Sequence, residues 1–70
     1  MTLNEAVARN LRDLIDSRHI NIKHMADELK ISRSALYAIM SGAVLPNFFT
    51  AWLIARYFGI TIDSLADGAE

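Results

Sequence analysis

Three residues, Lys30-Ile31-Ser32, interrupt what would otherwise be a continuous helical pattern, and this interruption constrains the chain more than any other feature. Before it, Met25, Ala26 and Leu29 face one way over residues 22–29; after it, Ala35, Leu36 and Ile39 share a face over 33–41. Asn21 and Ser32 stand where N-caps are needed and Gly42 supplies a C-terminal stop, so the spacing predicts two short helices joined by a tight turn. Upstream, Thr2 and Glu5 form a capping-box pattern ahead of Leu3, Val7, Leu11 and Leu14, which predicts a helix over 3–18 with Ile15 widening its apolar stripe. Downstream, Ala43-Val44-Leu45-Pro46 is a connector, Asn47 caps a helix running to Phe58 with Gly59 as its stop, and Thr61 opens a short helix through Leu65. Ile60-Thr61-Ile62 is too short and isolated to make a sheet. Residues 66–70 read as a frayed tail. The expected fold is all-α, five helices in a single domain over 1–70.

Packing alone must hold such a domain. The 70 residues contain no Cys, which excludes a disulfide scaffold, a thiolate metal site and a cysteine nucleophile. An apolar content of 53% and a net charge of -1 exclude a disordered chain. A domain of this size hides only about 60% of the surface its unfolded chain exposes, so some apolar residues are expected to stay outside or to bury against a second molecule. No apolar run approaches the roughly 20 residues of a membrane span, and the first residues lack an apolar signal core, so a cytoplasmic protein without membrane contact is expected.

Near-neutral charge counts against nucleic acid, whose binders usually carry a basic balance. The charges are nonetheless polarised: residues 22–46 hold Lys23, Lys30 and Arg33 against Asp27 and Glu28, whereas 47–70 hold Arg56 against Asp63, Asp67 and Glu70. On the first helix, Glu5, Arg9, Arg12, Asp13, Asp16 and Arg18 read as a solvated face. His19 and His24 are five apart rather than at the i, i+4 spacing of a helical metal pair, and no carboxylate cluster or Gly-rich phosphate loop accompanies them. No nucleophile has a base near it in sequence, so no enzyme, cofactor or metal is expected.

Two short helices across a tight turn, with both inner faces apolar, is the layout of a helix-turn-helix, in which one helix braces a second that enters the major groove. The same layout occurs in bundles that bind nothing. From Leu11 to Leu65, however, the chain resembles the Cro and phage-repressor family residue by residue. The family's helix-one Leu, its Leu-Ser-type turn, its bracing-helix Ala, its Val-Ser-Arg opening and its Ile before Gly are similar to Leu14, Ile20-Asn21, Ala26, Ile31-Ser32-Arg33 and Ile39 to Gly42. The family's Pro, Ile-Ala pair, Leu-Gly-Val and final Asp-x-Leu are similar to Pro46, Ile54-Ala55, Phe58-Gly59-Ile60 and Asp63-Ser64-Leu65. The resemblance implies a lambda-repressor-like five-helix domain with a helix-turn-helix at 22–41 and a recognition helix at 33–41. It also implies a transcription regulator, a repressor, that binds a palindromic double-stranded DNA operator as a homodimer.

Several positions have physical reasons beside the resemblance. Ala26 lies where the two helices must cross closely, and a larger side chain would force them apart. Ser32 can accept an early amide of the recognition helix, leaving the other N-terminal amides and the positive dipole end for a phosphate. Arg33 can fork onto guanine O6 and N7, grip a phosphate, or stand as an ordinary surface Arg. By the resemblance, Ser34 and Ala38 lie near bases, with Ala38 offering only a methyl group to thymine, and Tyr37 lies on the groove wall. Ser41 and the Gly42 amide are placed near the DNA backbone, together with Lys23 and Lys30.

Four departures from the family stand out. Ile22 occupies a position often held by a phosphate-touching Gln, and Lys30 replaces the turn Gly. Lys30 must therefore accept a left-handed conformation at about 1 kcal/mol or adopt another turn. Ile15 and Met40 replace an Arg and a Glu that are often ion-paired, an exchange that apolar partners can make without loss of stability. Finally, Ala43, Val44, Leu45, Phe49 and Leu53 stand where charged residues are usual. Val44, Leu45, Phe49, Trp52 and Leu53 are thus expected to form an exposed apolar interface. Its partner is either a second copy, which would present two recognition helices about one DNA turn apart, or a different protein bound by an antitoxin-like or anti-repressor-like module.

Overall fold

Each helix begins at the side chain that the sequence marks as its cap. In the computed structural model, which describes residues 1–70, these are α1 (Leu3–Ser17), α2 (Ile22–Leu29), α3 (Arg33–Met40), α4 (Phe48–Phe58) and α5 (Ile62–Leu65), with no strand. Thr2 accepts the Glu5 amide at 3.2 Å while the Glu5 carboxylate accepts the Thr2 amide at 2.9 Å, completing the capping box. Asn21, Ser32, Asn47 and Thr61 cap the other four through the amides of His24, Ala35, Thr50 and Ser64, at 2.8–3.0 Å. α1 and α3 each end one residue earlier than expected, at the cap residues Arg18 and Ser41.

The first four helices also end alike. A residue at positive φ follows each of them, His19 (53°), Lys30 (58°), Gly42 (82°) and Gly59 (70°). The next amide then reaches back five residues: Ile20 to the Ile15 carbonyl, Ile31 to Ala26, Ala43 to Ala38 and Ile60 to Ala55, at 2.9–3.1 Å. This is the Schellman closure, which satisfies a carbonyl that the helix leaves without a partner. Ile20, Ile31 and Ile60 then pack their side chains against the core, so each stop also contributes apolar burial. Of the two options open to Lys30, the chain takes the left-handed one.

Every helix supplies the core. Val7, Leu11 and Ile15 of α1 meet Met25, Ala26 and Leu29 of α2, Leu36 and Ile39 of α3, Ile54 and Phe58 of α4, and Leu65 of α5. No polar side chain is buried with them. Ala26 is sealed at the α2 and α3 contact, where a methyl group is all that fits a close crossing. Ile15 is buried and Met40 packs half-buried against the same cluster, while α1 and α3 share the most extensive contact between helices. Two expected inner residues lie outside instead. Leu3, in the first turn of α1, and Ala35, in the first turn of α3, are exposed.

The charged side of α1 is not merely solvated. The Arg12 guanidinium donates to the Met40 carbonyl at the end of α3, and Arg18 donates to the Phe58 carbonyl at the end of α4, at 2.8 Å. Arg18 also lies 5.4 Å from the centre of the Phe58 ring. Asn10 donates to the Leu65 and Asp67 carbonyls at 2.7 and 2.9 Å, and Arg9 donates to Asp67 at 3.3 Å. Those of Met40, Phe58 and Leu65 are carbonyls at helix C-termini, which lack intrahelical donors and sit at the negative end of the helix dipole, and that of Asp67 lies just beyond α5. The segment read as a frayed tail is therefore fastened to α1, and Glu70 closes onto the Met1 carbonyl at 3.0 Å. Linear charge patterning could not find this, because the acceptors lie 28 to 58 residues away.

Candidate nucleic-acid interface

The two-helix unit of α2 and α3 presents one accessible side. Met25, Ala26 and Leu29 bury one face of α2; Leu36 and Ile39 bury one face of α3. Residues 33, 34, 37, 38 and 41 fall on the opposite side of α3 by helical spacing, and α3 carries no carboxylate. Arg33, Ser34 and Ser41 are exposed, Tyr37 is 54% exposed, and Ala38 is half-buried. Arg33 forms no ion pair. The Ser32 hydroxyl is held by the Ala35 amide at 3.0 Å, so the Arg33 and Ser34 amides at the start of α3 are left without an intrahelical acceptor.

Lys23 in the first turn of α2 and Lys30 in the turn before α3 are both exposed, and Lys30 holds left-handed backbone. Ile22, half-buried, packs against the core, so the position that often holds a polar phosphate contact is apolar and turned inward. At the far end of α3, the Ser41 hydroxyl donates to the Ala38 carbonyl at 3.0 Å and accepts the Ala43 amide at 3.3 Å, while the Gly42 amide donates to Ile39 at 3.1 Å. Both groups are therefore engaged within the helix terminus. On α2 the nearest carboxylates are Asp27 and Glu28, and Glu28 lies 3.0 Å from His24 in an exposed i, i+4 contact.

The apolar set expected beyond Gly42 is displayed on the connector and on α4. Val44, Leu45, Phe49 and Trp52 are exposed, whereas Leu53 is half-buried against the core. Phe49 stacks near Trp52, with ring centres 6.3 Å apart and planes 20° from parallel, and Arg56 lies 5.2 Å from the centre of the Trp52 ring on its face. Sequence reasoning missed Phe48, at 76% the most exposed large apolar residue. Helical spacing sets Phe48 in line with Ala51 and Ala55 on the core side, but in the first turn of α4 it is left uncovered.

A helical pair with a braced second helix is one fold among several until its sequence is set against known proteins. The helix-turn-helix family matches residues 11–65, more than half of the chain. The chain belongs to this family. It is a helix-turn-helix domain of the Cro and phage-repressor type, the DNA-binding kind that transcription regulators use, and proteins of this class typically carry no catalytic function. Over 60 residues the domain is 32% identical to the HTH-type transcriptional activator BcrR of Enterococcus faecalis, covering 86% of this chain and 29% of that protein. The chain thus spans less than a third of the curated relative's length. No solved structure matches it significantly. No helix of the domain is long and apolar enough to cross a membrane.

Proposed function

We propose that this domain reads double-stranded operator DNA as a homodimer on a palindromic site, in the cytoplasm, and regulates transcription as a repressor. The observation that carries the reading is the outward side of α3, free of carboxylates, with Arg33 at its exposed start and an exposed Lys30 in the turn before it. Arg33 and Ser34 read bases, with Tyr37 at the groove wall and Ala38 contributing a methyl contact. Lys23, Lys30, Ser32, Ser41 and Gly42 face the backbone. For Ser41 and Gly42 this requires exchange of the local hydrogen bonds they now make. Short side chains at Ser34 and Ala38 leave much of the specificity to Arg33, Tyr37 and DNA shape.

Selection of bound sequences from a random duplex pool tests the reading, with a palindrome as the expected product. Three cations per subunit neutralise about six phosphates in a dimer, which gives a log-log salt slope of roughly -5. Binding insensitive to salt would overturn the assignment of these cations. A reporter placed behind the recovered site decides the sign, since the relative's name carries the opposite one. The exposed aromatics support a second reading, a module that binds another protein around Val44, Phe49 and Leu53. A pool without enrichment favours that reading.

A further inference from the structure

The recognition helix has few anchors. α3 packs on α1 and α2 and scarcely on α4 or α5, and Leu36 and Ile39 are its only buried residues, with Met40 half-buried beside them. Apolar packing is non-directional, so it holds α3 against the body but sets its angle less sharply than a hydrogen bond, which weakens steeply off line. A single hydrogen bond joins α3 to another helix: the Arg12 guanidinium of α1 donates to the Met40 carbonyl. That carbonyl receives no backbone amide, because the Gly42 amide turns to Ile39 and the Ala43 and Val44 amides turn to Ala38. The last turn of α3 has no basic residue of its own, so α1 supplies the cation that the negative end of the helix favours. Asp16 stands at i+4 from Arg12, yet the guanidinium forms no ion pair and goes to the carbonyl instead. Two residues past Met40, a methyl group at Gly42 would lie 3.7 Å from that of Ala8, so the end of α3 runs close along α1.

We infer that Arg12 is a positioning residue for DNA reading: by holding the Met40 carbonyl it fixes the angle of α3 on the body, and through that angle the placement of Arg33 and Ser34 at the other end. The leverage follows from helix geometry. α3 rises about 10 Å from Arg33 to Met40, so a swing of about 10° displaces one end against the other by roughly 2 Å. Hydrogen bonds to base edges hold over a spread of only about 0.5 Å, so a swing of that size breaks them. Contacts to phosphate are sequence-independent and survive it, because a cation near the DNA backbone keeps most of its attraction when it moves by so little. Arg12 acts through Met40 and touches no DNA, which separates its role from that of Lys23, Lys30 and Arg33.

This inference deepens the operator reading above and rests on it for what α3 touches, so one arm of the test uses no DNA. Arg12→Leu keeps an apolar stem and removes the donor. By NMR it should shift the carbonyl resonance of Met40 while leaving that of Phe58, held by Arg18, in place. Amide exchange should quicken over residues 37–40 and keep the parent rate in α4, and Arg12→Lys, which restores a charged donor, should return both readouts toward the parent. Far-UV helicity equal to that of the parent chain establishes that each variant is folded. The second arm compares the duplex recovered by selection with one of scrambled sequence. Arg12→Leu should weaken binding to the recovered duplex about tenfold or more, as base contacts in both subunits lose alignment. Binding to the scrambled duplex should stay within about twofold, with the salt slope unchanged. A loss on both duplexes, with the slope lower by about two, would make Arg12 a phosphate contact and overturn the inference. Full affinity for the recovered duplex would overturn it too, as would a Met40 resonance and an exchange rate that stay at the parent values. A pool that yields no site overturns the operator reading and this role with it, while the carbonyl arm still decides whether Arg12 holds α3.

Discussion

The two longest helices use their outward sides in opposite ways. α1 turns out Arg9, Asn10, Arg12 and Arg18, and each is engaged with a backbone carbonyl at or just beyond the end of another helix. α4 turns out Phe49, Trp52 and Arg56, whose contacts are largely with one another. Polar surface closes this fold, and apolar surface leaves it open. The cause is size: five short helices have as many ends needing donors, while so small a core cannot take in every large side chain. The contrast breaks first at the inner face. Leu11→Ala should destabilise the domain by about 2–5 kcal/mol in urea unfolding, a large part of the roughly 4–10 kcal/mol that a chain of this length has. Phe49→Lys should change stability by no more than about 0.5 kcal/mol. Equal losses from the two would mean that the α4 face contributes to the monomer's own core.

A smaller effect sharpens the polar half of the comparison. Arg12→Ala and Arg18→Ala each remove a charged donor from a helix end, and each should cost about 1 kcal/mol in the same measurement, given that the surroundings are largely solvated. Asp13→Ala, an exposed neighbour on α1 for which no contact is seen, should be near neutral. If all three behave alike, the clamps add nothing beyond a solvated face.

This same contrast marks what could be read from the chain. Caps and stops are local chemistry, so Thr2, Asn21, Ser32, Asn47 and Thr61 were legible, and with them all five helices. The outward positions of α3 came from the resemblance to the family, and the burial of Leu36 and Ile39 fixes the same register. What stayed hidden was tertiary. Whether an arginine is solvated or reaches a carbonyl depends on where a distant helix ends, and whether Phe48 is covered depends on which elements pack beside the start of α4. His19 was missed for a different reason: histidine is enriched at positive φ, but most histidines are not left-handed, so its presence alone does not mark the stop.

Turn strain offers a finer comparison between two otherwise equivalent stops. His19 and Lys30 hold left-handed backbone without being glycine, which glycine would adopt without steric penalty. His19→Gly and Lys30→Gly should each raise stability by about 0.5–1 kcal/mol after allowing for the added freedom of the unfolded chain. Only Lys30→Gly should also weaken DNA binding, with the salt slope of a dimer falling by about two as one phosphate contact is lost from each subunit. A His19→Gly chain that loses DNA affinity to the same degree would place the cause in the fold rather than in the Lys30 charge.

The smallest effect concerns the start of α1. Glu5 accepts the Thr2 amide, and chiefly this bond, then the Thr2 hydroxyl and the nearby N-terminus, hold its carboxyl below the ordinary value of 4.5. A carboxyl whose pKa is lower in the folded chain than in the unfolded one contributes stability above the unfolded value and loses it as pH falls through the folded value. The parent chain should therefore become less stable as pH falls through and below 4.5, by an amount that an exposed side chain keeps small. Glu5→Gln retains an oxygen acceptor for the Thr2 amide and has no proton to take up, so its thermal midpoint should fall less over the same range. Parallel midpoint curves for the two chains would show that the capping box does not feel the charge on Glu5, and that its hydrogen-bond geometry alone starts α1.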